Sequence, residues 1–335
     1  MGNSWGRSYL LIGMMATAFV SIASAQSEGT GYPGILNYIE GQVAVNGRPV
    51  SPKSTGKADV EQNQVLETRN GKAEMLLTPG VFLRVGNNSA VRMLSPALTN
   101  TRVQILKGDA LVEVTDLYRQ NHLQVVDDDT TTDLLKNGVY EFNASRPEVA
   151  VFDGKAEVEA EGSQATLKKG RDVALAAGPL RAVKFNLKAA EAQDDLYQWS
   201  SLRAEYLAEA SWDSASTIMM DGYPWWGAGW YWDPFWDMYS FIPGDGFLFS
   251  PFGWGFYSPW AVWRAPFMGY GGFRGGLRGG FRGGYRGGVR AVGGFHGGGG
   301  FHGGGVFRGG GGFGGFRGGG GFRGGGGFHG GGGRR

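Results

Sequence analysis

An all-β domain of short antiparallel strands, followed by one accessory helix and a long disordered glycine-rich tail, is the fold class this sequence predicts. Three observations predict it. Apolar and polar residues alternate in short segments between Gly34 and Gly178, each segment closed by a glycine turn. Apolar residues then recur at three- and four-residue steps within 185–211. Beyond Gly269 glycine replaces nearly every residue able to build a core. Period two buries one face of a strand, and the longer period lines one face of a helix.

The chain opens with MGNSWGRSYLLIGMMATAFVSIASAQ. Arg7 supplies a positive start, Tyr9 to Val20 an apolar run, and Ala23-Ser24-Ala25 a small-residue cleavage pattern. This reads as a signal peptide over 1–25 with a mature start near Gln26 and a periplasmic or secreted destination. Retention as an uncleaved anchor is the alternative. No later segment offers the run of about 18 apolar residues that a membrane helix needs, so no transmembrane span is expected in the mature chain.

In the segment 34–178, NYIEGQVAVNG alternates through Val43 and Val45 up to Asn46-Gly47, and KAEMLLTPG through Ala73, Met75 and Leu77 up to Pro79-Gly80. Lys107-Gly108, Asn137-Gly138, Asp153-Gly154 and Lys169-Gly170 give further turn signals. Asn-Gly and Asp-Gly favour tight hairpin turns. Strands this short and evenly spaced predict a sandwich or a solenoid-like stack. With no cysteine, disulfides and thiolate metal sites are excluded, and the core must hold the domain unaided.

Within 185–211, Leu196, Trp199, Leu202, Tyr206 and Ala210 fall along one helical face, and Asp195, Arg203 and Glu209 are expected on the opposite, solvated face. Trp199 reads as a core residue. Residues 223–268 then hold eight of the eleven tryptophans among Pro, Gly and Ser, a composition that opposes regular elements and predicts an irregular wrap on the β domain. The tail 269–335 cannot bury enough surface to offset the ordering of its backbone.

The β segment resembles the FecR-type domain of bacterial envelope proteins. The likeness runs from GQVAVNG through VLETRNGKAEMLLTPGVFLRVGNNSAVRM, VQILKGDALVEV, NGVYEFNAS and VAVFDGKAEVEAEG to LKKGRDVAL. It covers Gly34 to Gly178, under half the chain, and rests on the order of these segments. The best-known members are implied to relay an outer-membrane iron-transport signal to a sigma factor, using a cytoplasmic N-terminal segment and a membrane helix. A signal-like N-terminus stands here in place of both. The chain is similar to a secreted subgroup with a Trp- and Gly-rich C-terminus, for which the resemblance implies no activity.

Charge divides the chain more sharply than its formal net of +2 suggests: eleven arginines and no acidic residue follow Asp245. A basic tail on an acidic body predicts association with polyanions. Arg274, Arg278, Arg282, Arg286 and Arg290, spaced by glycine pairs and aromatics, are the candidate polyanion-binding residues. Arg and stacking Phe or Tyr also serve RNA, but an exported protein meets anionic lipid, acidic polysaccharide or another protein first. Trp225, Trp226, Trp230, Trp232 and Trp236 are the candidate aromatic surface, suited to sugar rings or an interface.

No nucleophile elbow, phosphate loop or zinc-binding helix occurs. His122 beside Asp127, Asp128, Asp129 and Asp133 could form a base or cation site, but the run DDDTTTD lacks a calcium loop's glycine and terminal glutamate. It reads as a solvated acidic loop. The tail histidines, His296, His302 and His329, lack the fixed spacing of a metal site. No catalytic residue, metal or cofactor is assigned. The predicted function is non-enzymatic binding, assembly or signal sensing at the cell envelope, with self-association as one form. An RNA-binding arginine-glycine protein is the second reading, and an envelope polysaccharide-acting enzyme the third.

Overall fold

The computed structural model describes residues 31–175, 178–222 and 225–264. Strand β1 (Leu36–Val45) turns at Asn46-Gly47 into β2 (Arg48–Val50). Both turn residues have positive φ, 51° and 75°, as a type I′ hairpin requires. Strand β3 (Val65–Thr78) pairs with β1 along most of its length. Its second half pairs with β4 (Val81–Val85) and its first residues with β5 (Ala90–Ala97). The long strand therefore belongs to two half-sheets.

From β5 onward the chain alternates between those halves. Strand β6 (Asn100–Lys107) stays in the first, β7 (Asp109–Val114) enters the second, and β8 (His122–Asp127) with β9 (Thr130–Leu134) returns to the first. Next, β10 (Gly138–Asn143) and β11 (Glu148–Asp153) lie in the second half, and β12 (Lys155–Ala160) and β13 (Ser163–Lys168) in the first. Finally β14 (Arg171–Ala174) and β15 (Val183–Lys184) complete the second. Pairing is antiparallel except between β6 and β8. One apolar core, including Leu36, Leu83, Val103, Val125, Phe142 and Leu167, lies between the halves. The fold is mostly β, as the alternation predicts.

The chain turns at 107–108, 137–138, 153–154 and 169–170, but not in tight hairpins. Each joins two strands that are not paired with one another, at the corner where the chain changes halves. Gly154 shows why glycine is needed there. Its φ is 102°, and an added methyl would strike the Tyr140 hydroxyl. At Asn137 the side chain braces the corner, accepting from the Leu117 amide at 2.9 Å and donating to the Thr115 carbonyl at 2.7 Å.

A third layer covers the outer face of the second half-sheet. Helix α1 (Leu187–Gln193) leads into α2 (Asp195–Asp221), whose N-terminus is capped by Asp194, its Oδ1 accepting from the Tyr197 amide at 2.7 Å. Gly222 ends the helix in the left-handed region. The segment expected to be an irregular wrap instead forms two hairpins, β16 (Gly229–Asp233) with β17 (Met238–Ile242) and β18 (Phe247–Phe249) with β19 (Gly255–Tyr257), followed by α3 (Pro259–Arg264). Pro234, Pro243 and Pro251 sit in turns and links, Gly229 and Gly255 are only the first residues of their strands, and Pro259 opens α3, so the strands stay intact. Phe241, Phe256 and Trp230 pack with Leu76 and Phe82 of the sheet and Leu207 of α2 in a second core.

This layer changes which strand faces are buried. In β4, β7, β10 and the second half of β3 both faces are sealed, although Glu74, Arg84, Glu113 and Glu141 occupy positions that alternation assigns to solvent. Among the described residues, no helix is long and apolar enough to cross a membrane.

Candidate functional site

Cross-strand register places Glu74 of β3 opposite Arg84 of β4, on the sheet face beneath α2. Arg84 donates through Nε to Glu74 Oε2 at 2.9 Å and through Nη1 to Glu113 Oε2 at 2.6 Å. From α2, Arg203 closes the network, its Nη2 lying 3.0 Å from Glu74 Oε1. Its guanidinium also stacks 4.2 Å above the Tyr38 ring. Two guanidinium groups and two carboxylates thus balance in a space where all four are buried. Asn37 joins them, donating to Glu74 at 3.2 Å and to the Tyr239 carbonyl at 2.9 Å.

Burial pushes both carboxyls up, and their partners decide the outcome. For Glu74 the attraction of Arg203 and Arg84 outweighs burial, and its pKa lies below the ordinary value. For Glu113 burial outweighs Arg84, and its pKa lies above it. The network is sealed from solvent and ties α2 to the sheet. The expected solvated position of Arg203 is therefore corrected: the buried face of α2 runs through Leu196, Trp199, Arg203, Leu207 and Ser211, while Leu202 and Tyr206 are exposed. Alanine and serine fill much of that face, so apolar residues do not mark its phase.

A cleft of about 170 Å³ opens beside the start of α2, lined by Lys72, Asp109, Glu141, Arg146, Asp194 and Asp195, among others. Burial first, then Asp194, holds Glu141 well above the ordinary carboxylate value. Burial also raises Asp109, against the opposing pull of Arg146. Lys72 and Arg146 face the same space, so cations already share it with the acids. Among the described residues, no group of three or more His, Asp or Glu is arranged to hold a metal ion.

His122 is exposed at the start of β8, and Asp127 ends the same strand. Asp128 and Asp129 are exposed in the turn, but Asp127 is buried with Oδ2 unpartnered, and burial raises its pKa to about 6. The solvated-loop reading holds for the turn and fails for Asp127.

The candidate tryptophans divide between support and surface. Trp230 is buried against Phe82, with ring centroids 5.0 Å apart, and against Phe241 at 5.8 Å. Trp225 packs partly buried beside Ala215 and Ile242, and Trp232 lies edge-on to Tyr239 at 5.2 Å. Trp236 is half-buried between Tyr206 and Phe235 and donates from Nε1 to Asp213 Oδ2 at 2.8 Å. Trp226 alone of the five is largely exposed, at 82%. Trp199 is buried beside Leu111, Val139 and Phe152. Arg274, Arg278, Arg282, Arg286 and Arg290 lie outside the described residues, as does the signal-like segment 1–25.

Sequence reasoning missed Phe235, Phe247, Phe249 and Trp260, all exposed. The alternation in FLF and GFY carries a strand signal, but three-residue strands between Gly and Pro fall below what a period-two search detects.

No protein-family profile matches the chain, and no curated protein does. Two crystal structures of a candidate anti-sigma factor from Parabacteroides distasonis are similar to part of it, at 16% and 15% identity with TM-scores of 0.33 and 0.34. The similarity covers 38% and 39% of this chain and 63% and 65% of those chains, so it spans under two thirds of their length. At those identities and scores the likeness assigns no role to any residue of this protein.

Proposed function

We propose that the protein is an exported, non-enzymatic binding or assembly component of the bacterial cell envelope, resembling the secreted subgroup of FecR-type proteins. The observation that carries this reading is the aromatic segment, which folds onto the body as two hairpins. Its buried rings, Trp230, Phe241 and Phe256, hold the hairpins in place, and Phe235, Phe247 and Phe249 remain exposed on them. A fold that buries large rings and still leaves others outward has the form of a recognition surface. The signal-like N-terminus supports the envelope as the place where that surface works. The most strongly charged buried cluster, Glu74–Arg84–Glu113–Arg203, is consumed in structural ion pairs and supports no catalytic role.

Cell fractionation with mass spectrometry of the mature terminus tests the reading. The expected chain starts at or near Gln26 and is recovered outside the cytoplasm; a cytosolic pool retaining Met1 would overturn it. The arginine-glycine repeat 273–288 favours RNA binding as the second reading. Titrations with RNA and with an acidic polysaccharide of similar charge density separate the two, because generic polyanion binding weakens with salt equally for both. A preference for RNA persisting at high salt would select the second reading.

A further inference from the structure

We infer that the cleft at the start of α2 binds a small diamino acid, its ammonium groups held by Asp109, Glu141 and Asp194 and its carboxylate by Lys72 and Arg146. The inference goes beyond the aromatic surface and does not depend on export. Strand period and register build the cleft. Asn143 of β10 stands opposite Asp109 of β7, and Glu141 stands opposite Leu111, which packs against Leu196 and Trp199 of the helix. Period two therefore puts both acids on the sheet face that α2 covers. Lys72 enters that face from β3, two residues before Glu74. Asp194 and Asp195 close it from the helix. The turn after β10 brings in Arg146, its amide donating to Asn143 Oδ1 at 2.7 Å.

The sheet face beneath α2 thus carries two charged groups, and only one is satisfied. Around Glu74 each charge meets its opposite at 2.6–3.0 Å. Around the cleft this fails: among the described residues neither Lys72 nor Arg146 makes an ion pair within 4.0 Å. Lys72 Nζ instead lies over the Trp199 ring, 5.6 Å from its centroid. Glu141 is only 8% exposed and lines the cleft, yet the neighbour its carboxyl hydrogen-bonds is a second acid, Asp194. Asp109 Oδ1 is shielded from solvent with no hydrogen-bond partner. Asp194 already uses Oδ1 on the Tyr197 amide. Carboxyls sheltered this far without a cation are costly, and an ammonium brings three donors and the missing charge. Charge counting sets the class of the occupant. Four carboxyls and two cations line the cleft, so a molecule of net positive charge fits better than a neutral one, while the unpaired Lys72 and Arg146 call for a carboxylate. A diamino acid carries both. The cleft volume of about 170 Å³ suits a single amino acid, since sites for larger ligands run from about 300 Å³.

The test is isothermal titration of the full chain with L-lysine, n-butylamine and propionate. Lysine should bind about tenfold or more tightly than butylamine, and propionate should not bind. Glu141 faces Lys72, Asp109, Arg146, Glu148, Asp194 and Asp195, and it holds its proton well above the ordinary carboxylate range. A bound ammonium favours the ionised carboxylate, so that proton should pass to the buffer. Titrations in buffers of different ionisation enthalpy should show its release. Glu141→Gln should abolish the release and weaken lysine binding about tenfold. Arg146→Gln, at an exposed position, should weaken lysine binding, leave butylamine binding unchanged and leave the melting curve unchanged. Glycyl-lysine distinguishes the C-terminal residue of a peptide from a free amino acid as the source, and binding of either sustains the inference. Equal binding of lysine and butylamine, binding without proton release, or full lysine affinity in the Glu141→Gln or Arg146→Gln protein would each overturn it. So would the absence of binding by both lysine and glycyl-lysine.

Discussion

Replacing Arg203 by Leu should destabilise the folded body strongly, because it strands a buried carboxylate. Glu74 is fully buried and Arg203 nearly so, with their atoms 3.0 Å apart. Removing one partner of a buried pair costs about 3–5 kcal/mol, chiefly through the charge left behind. Here Arg84 stays 2.9 Å from Glu74 and Asn37 stays 3.2 Å away, which places the loss near the lower bound. The lost stacking on Tyr38 adds about 0.5–1 kcal/mol. A total of about 3–4 kcal/mol would lower Tm by roughly 6–16 °C for a body of this size.

The assay is urea and thermal unfolding of the full chain, followed by circular dichroism and tryptophan fluorescence. A second arm combines Arg203→Met with Glu74→Met. Arg84 and Glu113 remain as a balanced pair, so the double variant should recover much of the loss. The pH dependence has a definite sign. Glu74 has a lowered folded pKa, so its stabilising contribution is complete above the ordinary value of 4.5 and is lost as pH falls through the folded value. Glu113, with a raised pKa, acts oppositely: its ionisation weakens the fold as pH rises above 4.5. Without Arg203 the Glu74 pKa should rise, moving the acid limb of the stability curve to higher pH. An Arg203→Leu protein within about 0.5 kcal/mol of the parent would refute the reasoning, because an unremarkable surface substitution costs no more than that.

Trp199→Ala should cost about 3–5 kcal/mol, since the ring is buried beside Leu111, Val139 and Phe152; an unchanged melt would move Trp199 to a recognition surface. Asp127→Asn should flatten the stability profile between the ordinary value of 3.8 and about 6, the window in which ionisation of the buried carboxyl weakens the parent fold. Stability against pH, measured for both proteins, checks this, and parallel profiles would contradict it.

The β domain was legible because its local rules are strong. Alternation in NYIEGQVAVNG and the pair Asn46-Gly47 need no partner elsewhere to define a hairpin. The corners at Gly108, Gly138, Gly154 and Gly170 were legible as glycine positions but not as sheet changes, since an Asp-Gly pair reads the same in either role. The phase of α2 was misread for a different reason. Hydrophobic patterning credits Leu202 and Tyr206 to the core and Arg203 to solvent, whereas the true docking face meets Glu74, a charge on a strand more than a hundred residues earlier. No local rule can pair those two. The five candidate tryptophans divide between buried and exposed positions, because a tryptophan in a hairpin can face either way.

The third layer is held by direction more than by area. Apart from Leu196, Trp199 and Leu207, the buried face of α2 is largely alanine and serine with Arg203, and such small side chains do not by themselves decide where the helix sits along the sheet. Named bonds do. Arg203 meets Glu74, Ser211 donates to the Phe241 carbonyl at 2.7 Å, and Ser214 donates to Asp233 at 2.8 Å. Asn37 of β1 then bonds the Tyr239 backbone twice, through its amide oxygen at 2.7 Å and its amide nitrogen at 2.9 Å. Each bond fails if α2 or β17 slides by one residue, because a period-two strand would turn the wrong face inward. Sheet, helix and first hairpin are thereby locked in a single register. The second hairpin packs on that assembly through Phe256. A mobile hairpin would have to order itself on binding and lose affinity in doing so. A hairpin fixed in this way presents Phe247 and Phe249 already arranged for contact.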